Sequence, residues 1–413
     1  MKTTLRICMT ALLLGQMAAG ASAVTKKPPP APAAQARQVV NMEREAEPEA
    51  QLIQAYQAVA QGNRRSALAL AEGLVQAYPN FQVAQLLYGD LLAAQARPAR
   101  TLGDVKEPLA RQHAAQLAEL REESLLRLKA LSERPPAGSL PAQFVNLSAQ
   151  NQHAIAIDAS RSRLYLFENT VAGPKLLADY YISIGKSGIE KTIEGDLRTP
   201  LGVYFINHPI NPKTLKPFYG AGALPINYPN PYDMRRGKTG SGIWLHGTPP
   251  EQFSRPPRAT DGCVVLANPD LQRLLATVAP RTTPVVIAQS LQWVSPQSLQ
   301  TQSRQFEDTL QAWRRVKSSG RLDQLLGFYT NDFDSYGKNL SRWSQVLRRE
   351  INQAAGHPVQ LNDLSLLRFT DQTETMVVTF REAWPGSDSK AVKRQYWLRQ
   401  GTQWRIFFEG VVS

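Results

Sequence analysis

Apolar residues change their spacing twice along this chain, and each change marks a new kind of structure. Between residues 51 and 131 they recur every three or four positions: Leu52, Ala55, Tyr56 and Val59, then Ala67, Leu70, Ala71, Leu74 and Val75. That is the period of one helix face. Gly62-Asn63 separates the first two helices and Pro79 closes the second. A third helix is predicted from about Val83 to Ala96 and a fourth from about Glu107 to Leu131. Arg134-Pro135-Pro136-Ala137-Gly138 then breaks the chain.

From 153 to 289 the pattern becomes that of strands. Short runs rich in β-branched and aromatic residues predict strands at His153–Asp158, Arg163–Glu168, Asp179–Gly185, Gly202–Asn207, Gly242–His246, Gly262–Leu266 and Pro284–Ala288. One helix, Pro269–Val278, interrupts them. Beyond 302 the order reverses to helices first: Gln305–Lys317, then Leu322–Tyr329 and Leu340–Ile351. Four strands follow, Val359–Phe369, Glu374–Phe380, Lys390–Leu398 and Trp404–Glu409. The predicted fold is therefore multidomain, α and β: helical hairpins over 51–133, a central mainly-β domain over 150–289, and a C-terminal α+β cone over 302–413.

The N-terminal segment adds a location. Lys2 and Arg6 precede an apolar stretch from Ile7 to Ala19, and Ala21-Ser22-Ala23 offers small residues for a signal peptidase. Residues 1–23 read as a secretory signal cleaved after Ala23, which makes the mature protein periplasmic. No later stretch is long and apolar enough to span a membrane. Residues 24–50, rich in Pro, Ala, Gln and Glu, read as a flexible linker. The formal charge is +13, which favours an acidic partner. Export turns that preference away from nucleic acid and toward an acidic wall polymer.

Cysteine usage points to chemistry. Of the two cysteines, Cys8 leaves with the signal, so Cys263 stands alone in an oxidising compartment and cannot form an internal disulfide. A lone thiol there is either inert core or kept for its reactivity. The segment Gly242-Ile243-Trp244-Leu245-His246-Gly247-Thr248 precedes Ala259-Thr260-Asp261-Gly262-Cys263-Val264-Val265. A thiol needs a base to become a nucleophile, and His246 is the nearest in sequence. Gly262 permits an unusual turn beside the thiol, and backbone N–H groups there are candidates to hold an oxyanion. Spacing alone leaves the core reading of both residues open. No metal site is read, because the chain has no clustered His, Cys and carboxylates at ligand spacing.

These two segments resemble the L,D-transpeptidase catalytic domain of the YkuD type, whose pattern is His-Gly, a gap of about this length, and Ser/Thr-x-Gly-Cys. Thr199-Pro200-Leu201-Gly202 matches the family's strand entry. The resemblance implies Cys263 as nucleophile, His246 as general base and the Gly247 carbonyl as its orienting partner, with Gly262 and Asp261 shaping the site and no cofactor. It implies acyl transfer on peptidoglycan stem peptides. The thiolate attacks the carbonyl before a terminal D-alanine, and an amine or water takes the acyl group. The sequence departs from the family where Val264 and Val265 replace the Arg or Asn common after the Cys, and where Asp261 stands in place of a second His. Tyr219, Tyr232 and Arg235, in the loops before the His246 strand, are candidate contacts for stem carboxylates.

Two further resemblances complete the picture. Ala55, Gly62, Ala67, Leu74 and Pro79 sit at tetratricopeptide-repeat offsets, which makes the helical region a candidate surface for a protein partner. Trp313, Tyr329, Phe333, Trp343, Val377–Phe380 and Trp404-Arg405-Ile406 sit where nuclear-transport-factor-2-like (NTF2-like) domains have their core. Some cell-shape-determining carboxypeptidases of helical bacteria combine this catalytic domain with such a C-terminal one, so the resemblance sets hydrolysis beside transpeptidation as an outcome. A non-catalytic wall-binding scaffold is the alternative from another class.

Overall fold

The computed structural model describes residues 48–96, 101–105, 108–354, 356–386 and 391–412. The expected signal sequence, Cys8 and most of the expected linker lie outside these residues. Helices Pro48–Ala60, Arg64–Ala77 and Gln82–Ala93 follow the expected hairpin order. Asn63 begins the second by accepting the Ser66 N–H at 3.2 Å, which satisfies one of the donors a helix start leaves open. The first helix starts at Pro48, so Pro48, Glu49 and Ala50 are helical and not part of a linker. The single long helix expected over 107–131 is two pieces, Leu109–Gln112 and Ala114–Ser132, separated where His113 leaves helical geometry.

The central domain is built on a five-stranded sheet. Its order across the sheet is Gly173–Tyr181, Arg163–Thr170, His153–Asp158, Pro284–Ala288 and Gly202–Phe205. A smaller sheet of Ala223–Pro225, Trp244–His246 and Val264–Val265 packs on one face of it. Ile155, Ile157, Leu164 and Leu166 from the large sheet meet Leu224, Leu245 and Val264 from the small one.

The other face of the large sheet is covered by the C-terminal domain. There the strands Gln403–Val411, Val392–Gln400, Glu374–Ala383 and Gln360–Thr370 form an antiparallel sheet. Because strand side chains alternate, this sheet has two buried faces. Met376, Val378, Phe380, Trp397 and Ile406 meet the helices through Phe306, Leu310 and Trp313. Leu367, Val377, Tyr396, Leu398 and Phe407 meet Val203, Phe205 and Phe167 of the central domain. Trp313, Tyr329, Phe333, Trp343 and Trp404 are all buried, so they form core.

Two connections differ from the sequence reading. Phe144–Asn146, left unassigned by the pattern, adds a fifth strand to the C-terminal sheet beside Gln360–Thr370. The helix expected from Gln305 starts earlier, at Pro296, because Ser295 caps it by accepting the Ser298 N–H at 3.2 Å. Its first turns are polar, which hides them from a hydrophobic-period reading.

The helical unit is tied to the central domain by buried charge. Arg127, 2% exposed, lies between Glu49 at 3.0 Å and Glu123 at 2.8 Å. Its guanidinium also sits 4.0 Å over the Tyr181 ring, and Glu49 reaches Arg163 at 2.7 Å. Removing one member of such a network strands the others without solvent. Arg127→Ala is therefore expected to cost about 3–5 kcal/mol, read as a lower urea midpoint. An unchanged midpoint would show that the network adds nothing to the docking of the helices.

Candidate active site

His246 and Cys263 reach one place through strand geometry. Val264–Val265 runs parallel to Trp244–His246, with Val264 opposite Leu245 and Val265 opposite His246. Leu245, Val264 and Leu266 point into the core, so His246 and Cys263, on the alternate phase, share the opposite face. Both line a cavity of about 210 Å³ together with Lys191, Phe218, Tyr219, Arg255 and Asp261.

The imidazole is held in one tautomer. His246 Nδ1 lies 2.8 Å from the Gly247 carbonyl oxygen. A carbonyl only accepts, so Nδ1 carries the proton. Burial lowers the imidazole pKa to about 4, with the Gly247 bond opposing the shift and nearby Arg255 adding to it. At neutral pH the ring is uncharged and Nε2 keeps its lone pair, the state a general base requires. The ring is walled by Tyr219, whose ring meets it edge-on at 5.0 Å between centroids. The Tyr219 carbonyl accepts the Gly247 N–H at 3.1 Å. A side chain at Gly247 would collide with Asn268 Oδ1, 2.1 Å from where its Cβ would lie. Asn268 in turn accepts the Ala221 N–H and donates to the Thr248 carbonyl, both at 2.8 Å.

The thiol rests protonated. Burial pushes its pKa up, and the Trp244 backbone amide offsets part of that. Cys263 Sγ donates to the Gly242 carbonyl at 3.5 Å, a contact that suits S–H and disfavours S⁻. The turn before it is fixed from two sides. Thr199 Oγ1 accepts the Gly185 N–H and donates to the Gly262 carbonyl, both at 3.0 Å. Thr260 Oγ1 accepts the Gly262 N–H at 3.1 Å and donates to the Cys263 carbonyl at 2.7 Å. Gly262 has φ +122°, and a Cβ there would stand 2.7 Å from the Arg198 carbonyl.

The structure thus brings together Cys263, His246, Gly247, Gly262, Asp261 and Tyr219. The Gly262 N–H is committed to Thr260, so Gly262 shapes the turn and is not a free oxyanion donor. Asp261 is exposed and pairs with Lys186 at 2.9 Å. Tyr232 and Arg235 are not in the cavity. Tyr232 donates to Asp371 of the C-terminal domain at 2.8 Å, and Arg235 pairs with Asp332 at 2.5 Å while lying 5.1 Å over the Phe407 ring. A basic, aromatic loop reads like a ligand site when its long-range neighbours are unknown. Sequence reasoning missed Arg255, Phe218, Lys191 and Asn268. Thr199 was visible only as part of a matched motif.

Among the described residues no group of three His, Cys, Asp or Glu is placed to hold a metal ion. No described helix is long and apolar enough to cross a membrane.

Two outcomes follow from this geometry. Because thiol and imidazole are both neutral at rest, alkylation of Cys263 by iodoacetamide should rise continuously from pH 6 to beyond the ordinary thiol value of 9.0. A flat rate between pH 5 and 8 would instead reveal a preformed thiolate–imidazolium pair. The folded imidazole titrates near 4 and the unfolded one near 6.5. In that window the unfolded chain binds more protons, so stability should fall as pH drops through it, and His246→Gln should flatten that slope.

Two domains of the chain match known families. The family model of the YkuD L,D-transpeptidase catalytic domain matches residues 152–287, and that of the Cds6 C-terminal NTF2-like domain matches 305–410. The solved structure of Bd1075 from Bdellovibrio bacteriovorus is 26% identical with a TM-score of 0.57, over 66% of this chain and 98% of that one. Pgp2 from Campylobacter jejuni, a helical cell shape determining protein, is 20% identical with a TM-score of 0.52, over 70% of this chain and 99% of that one. A search of curated proteins returns no match. This chain carries a YkuD L,D-transpeptidase catalytic domain at residues 152–287, preceded by a helical unit and followed at 305–410 by an NTF2-like domain.

Proposed function

We propose that this protein is a periplasmic cysteine acyl transferase, an L,D-transpeptidase, acting on peptidoglycan stem peptides. The observation that carries the reading is the oriented, uncharged His246 in one cavity with Cys263. His246 Nε2 takes the thiol proton as Sγ attacks the carbonyl that precedes the terminal D-alanine of a tetrapeptide stem. The C–N bond breaks, D-alanine leaves as the amine with the proton from Nε2, and a thioester to Cys263 remains. An amine from a second stem attacks the thioester, His246 accepts its proton, and the thiol is restored with a new crosslink. Every atom comes from enzyme and substrates, so the cycle needs no cofactor.

One observation favours a second acceptor. At about 210 Å³ the cavity is smaller than the roughly 300–1,000 Å³ of ordinary small-molecule pockets. Water enters where a second stem must compete for space, and its attack would release a tripeptide stem. The architecture shared with a cell shape determining protein is compatible with such trimming. A wall-binding scaffold would have no use for a base of defined tautomer in the same cavity as a thiol.

Tetrapeptide muropeptides incubated with the protein and with Cys263→Ala, read by mass spectrometry, decide among these. Dimers formed only with the intact thiol establish the transpeptidase. Tripeptide monomers with free D-alanine make it a carboxypeptidase. Identical products from both proteins would sink the cysteine mechanism. Gly262→Ala, which must move the Arg198 carbonyl or the turn, should lower turnover at least about a hundredfold, as misplacement of a reacting group does, with a folded protein by circular dichroism.

A further inference from the structure

The connection between the His246 strand and Cys263 is gripped on one side by the helical unit. Asn80 donates to the Pro250 carbonyl at 2.8 Å, and its own carbonyl accepts the Phe253 N–H at 3.1 Å. The Phe253 ring stacks on Phe81 at 4.1 Å and meets Tyr78 at 5.2 Å, inside the core of the helices. Ser254 donates to Glu123 at 2.7 Å, the same carboxylate that holds Arg127. Tyr181, lying under Arg127, donates to the Arg255 carbonyl at 2.9 Å.

The Arg255 side chain turns the other way, into the cavity of Cys263 and His246. It is 8% exposed, its guanidinium lies 4.4 Å over the Phe218 ring, and its Nε is buried with no hydrogen-bond partner. A buried donor without an acceptor costs free energy, and a guanidinium is shaped to be satisfied by a carboxylate. Lys191, the other buried cation of this cavity, already holds Asp196 at 2.9 Å. In a tetrapeptide stem the D-alanine carboxylate lies one residue beyond the carbonyl that Cys263 attacks, inside the same small space.

We propose that Arg255 is the anchor for the terminal carboxylate of the acyl donor, and that the helical unit, through Phe253 and Ser254, positions it. The proposal rests on the reading of Cys263 as nucleophile. It gives the site an end-directed specificity. A stem that ends in a carboxamide loses the charge Arg255 meets, and a stem longer by one residue carries its carboxylate too far away. The helices then serve the chemistry directly, as the wall behind a specificity loop. Arg255 is a binding residue, and Phe253 a positioning residue that acts through it.

The test compares a tetrapeptide muropeptide ending in D-alanine with the same compound ending in D-alaninamide. The full-length protein should prefer the acid by about tenfold or more in kcat/KM, the range of a hydrogen bond to a charged group. Arg255→Gln should raise KM for the acid and bring the ratio close to one. Arg255→Lys, which keeps the charge and loses the fork, should fall between. Phe253→Leu should lower the ratio with a thermal midpoint near that of the unaltered protein, an effect that loss of packing alone would not produce. An acid-to-amide ratio unchanged in Arg255→Gln overturns the anchor. A ratio unchanged in Phe253→Leu overturns the positioning role. Calorimetry on Cys263→Ala separates this from the mechanism. If the acid binds that variant more tightly than the amide, and adding Arg255→Gln removes the difference, the anchor stands even where no Cys263-dependent cleavage is found. Equal binding of acid and amide overturns it.

Discussion

The parallel pairing of two very short strands, Trp244–His246 and Val264–Val265, is the constraint on which the rest of the site depends. It puts His246 and Cys263 on one face in fixed register. It also carries a cost, because parallel neighbours cannot be joined by a tight turn and need a long crossover. Residues 247–263 are that crossover. A segment of this length without regular structure over most of its course has little to hold it in place. The docking surfaces around it supply what its own backbone does not. Phe253 fills the helical core, Ser254 meets Glu123, and the Pro256 and Pro257 carbonyls accept hydrogen bonds from Ser183 and Ile184.

The same logic explains why the site is electrostatically quiet at rest. Enclosing the crossover buries His246 and partly buries Cys263, and the loss of solvent disfavours the charged form of each. On the proposed reading, reactivity comes from orientation: one tautomer set by the Gly247 carbonyl and one thiol position set between Gly242 and Trp244. On the proposed mechanism, the neutral pair moves its proton when a substrate carbonyl is in place to take the electrons.

The sequence made some of this legible and concealed the rest for physical reasons. Helical and strand periods located the three units, since burial of one face is a local property of spacing. His246 and Cys263 were legible through the residues that flank them. Gly247 and Gly262 are required by atoms that lie far off in sequence, Asn268 and Arg198, yet a glycine leaves a visible trace. Arg255 leaves none. It stands in a proline-rich loop as one basic residue among many, and the contacts that hold the loop around it, through Phe253, Ser254 and Tyr181, come from remote parts of the chain. Tyr232 and Arg235 fail for the converse reason. Their partners, Asp371 and Asp332, lie about a hundred residues or more downstream in another domain. Phe144–Asn146 was invisible as a strand because it is short and its partner, Gln360–Thr370, is remote.

Both flanking units are thus built into the packing of the central domain, in different ways. The C-terminal sheet is buried on its second face by the back of the catalytic sheet, and Phe144–Asn146 stitches the chain into that sheet before the catalytic domain begins. This fixes the scaffold from behind, on the face away from Cys263. The helices act from the side, on the crossover itself. A sheet packed on both faces has few ways to relax, so a displacement at the site is taken up by the crossover and not by the strands. The crossover is the part of the candidate site that the helical unit holds, so on the proposed reading a change buried among those helices should be felt as a change in which substrates the thiol accepts.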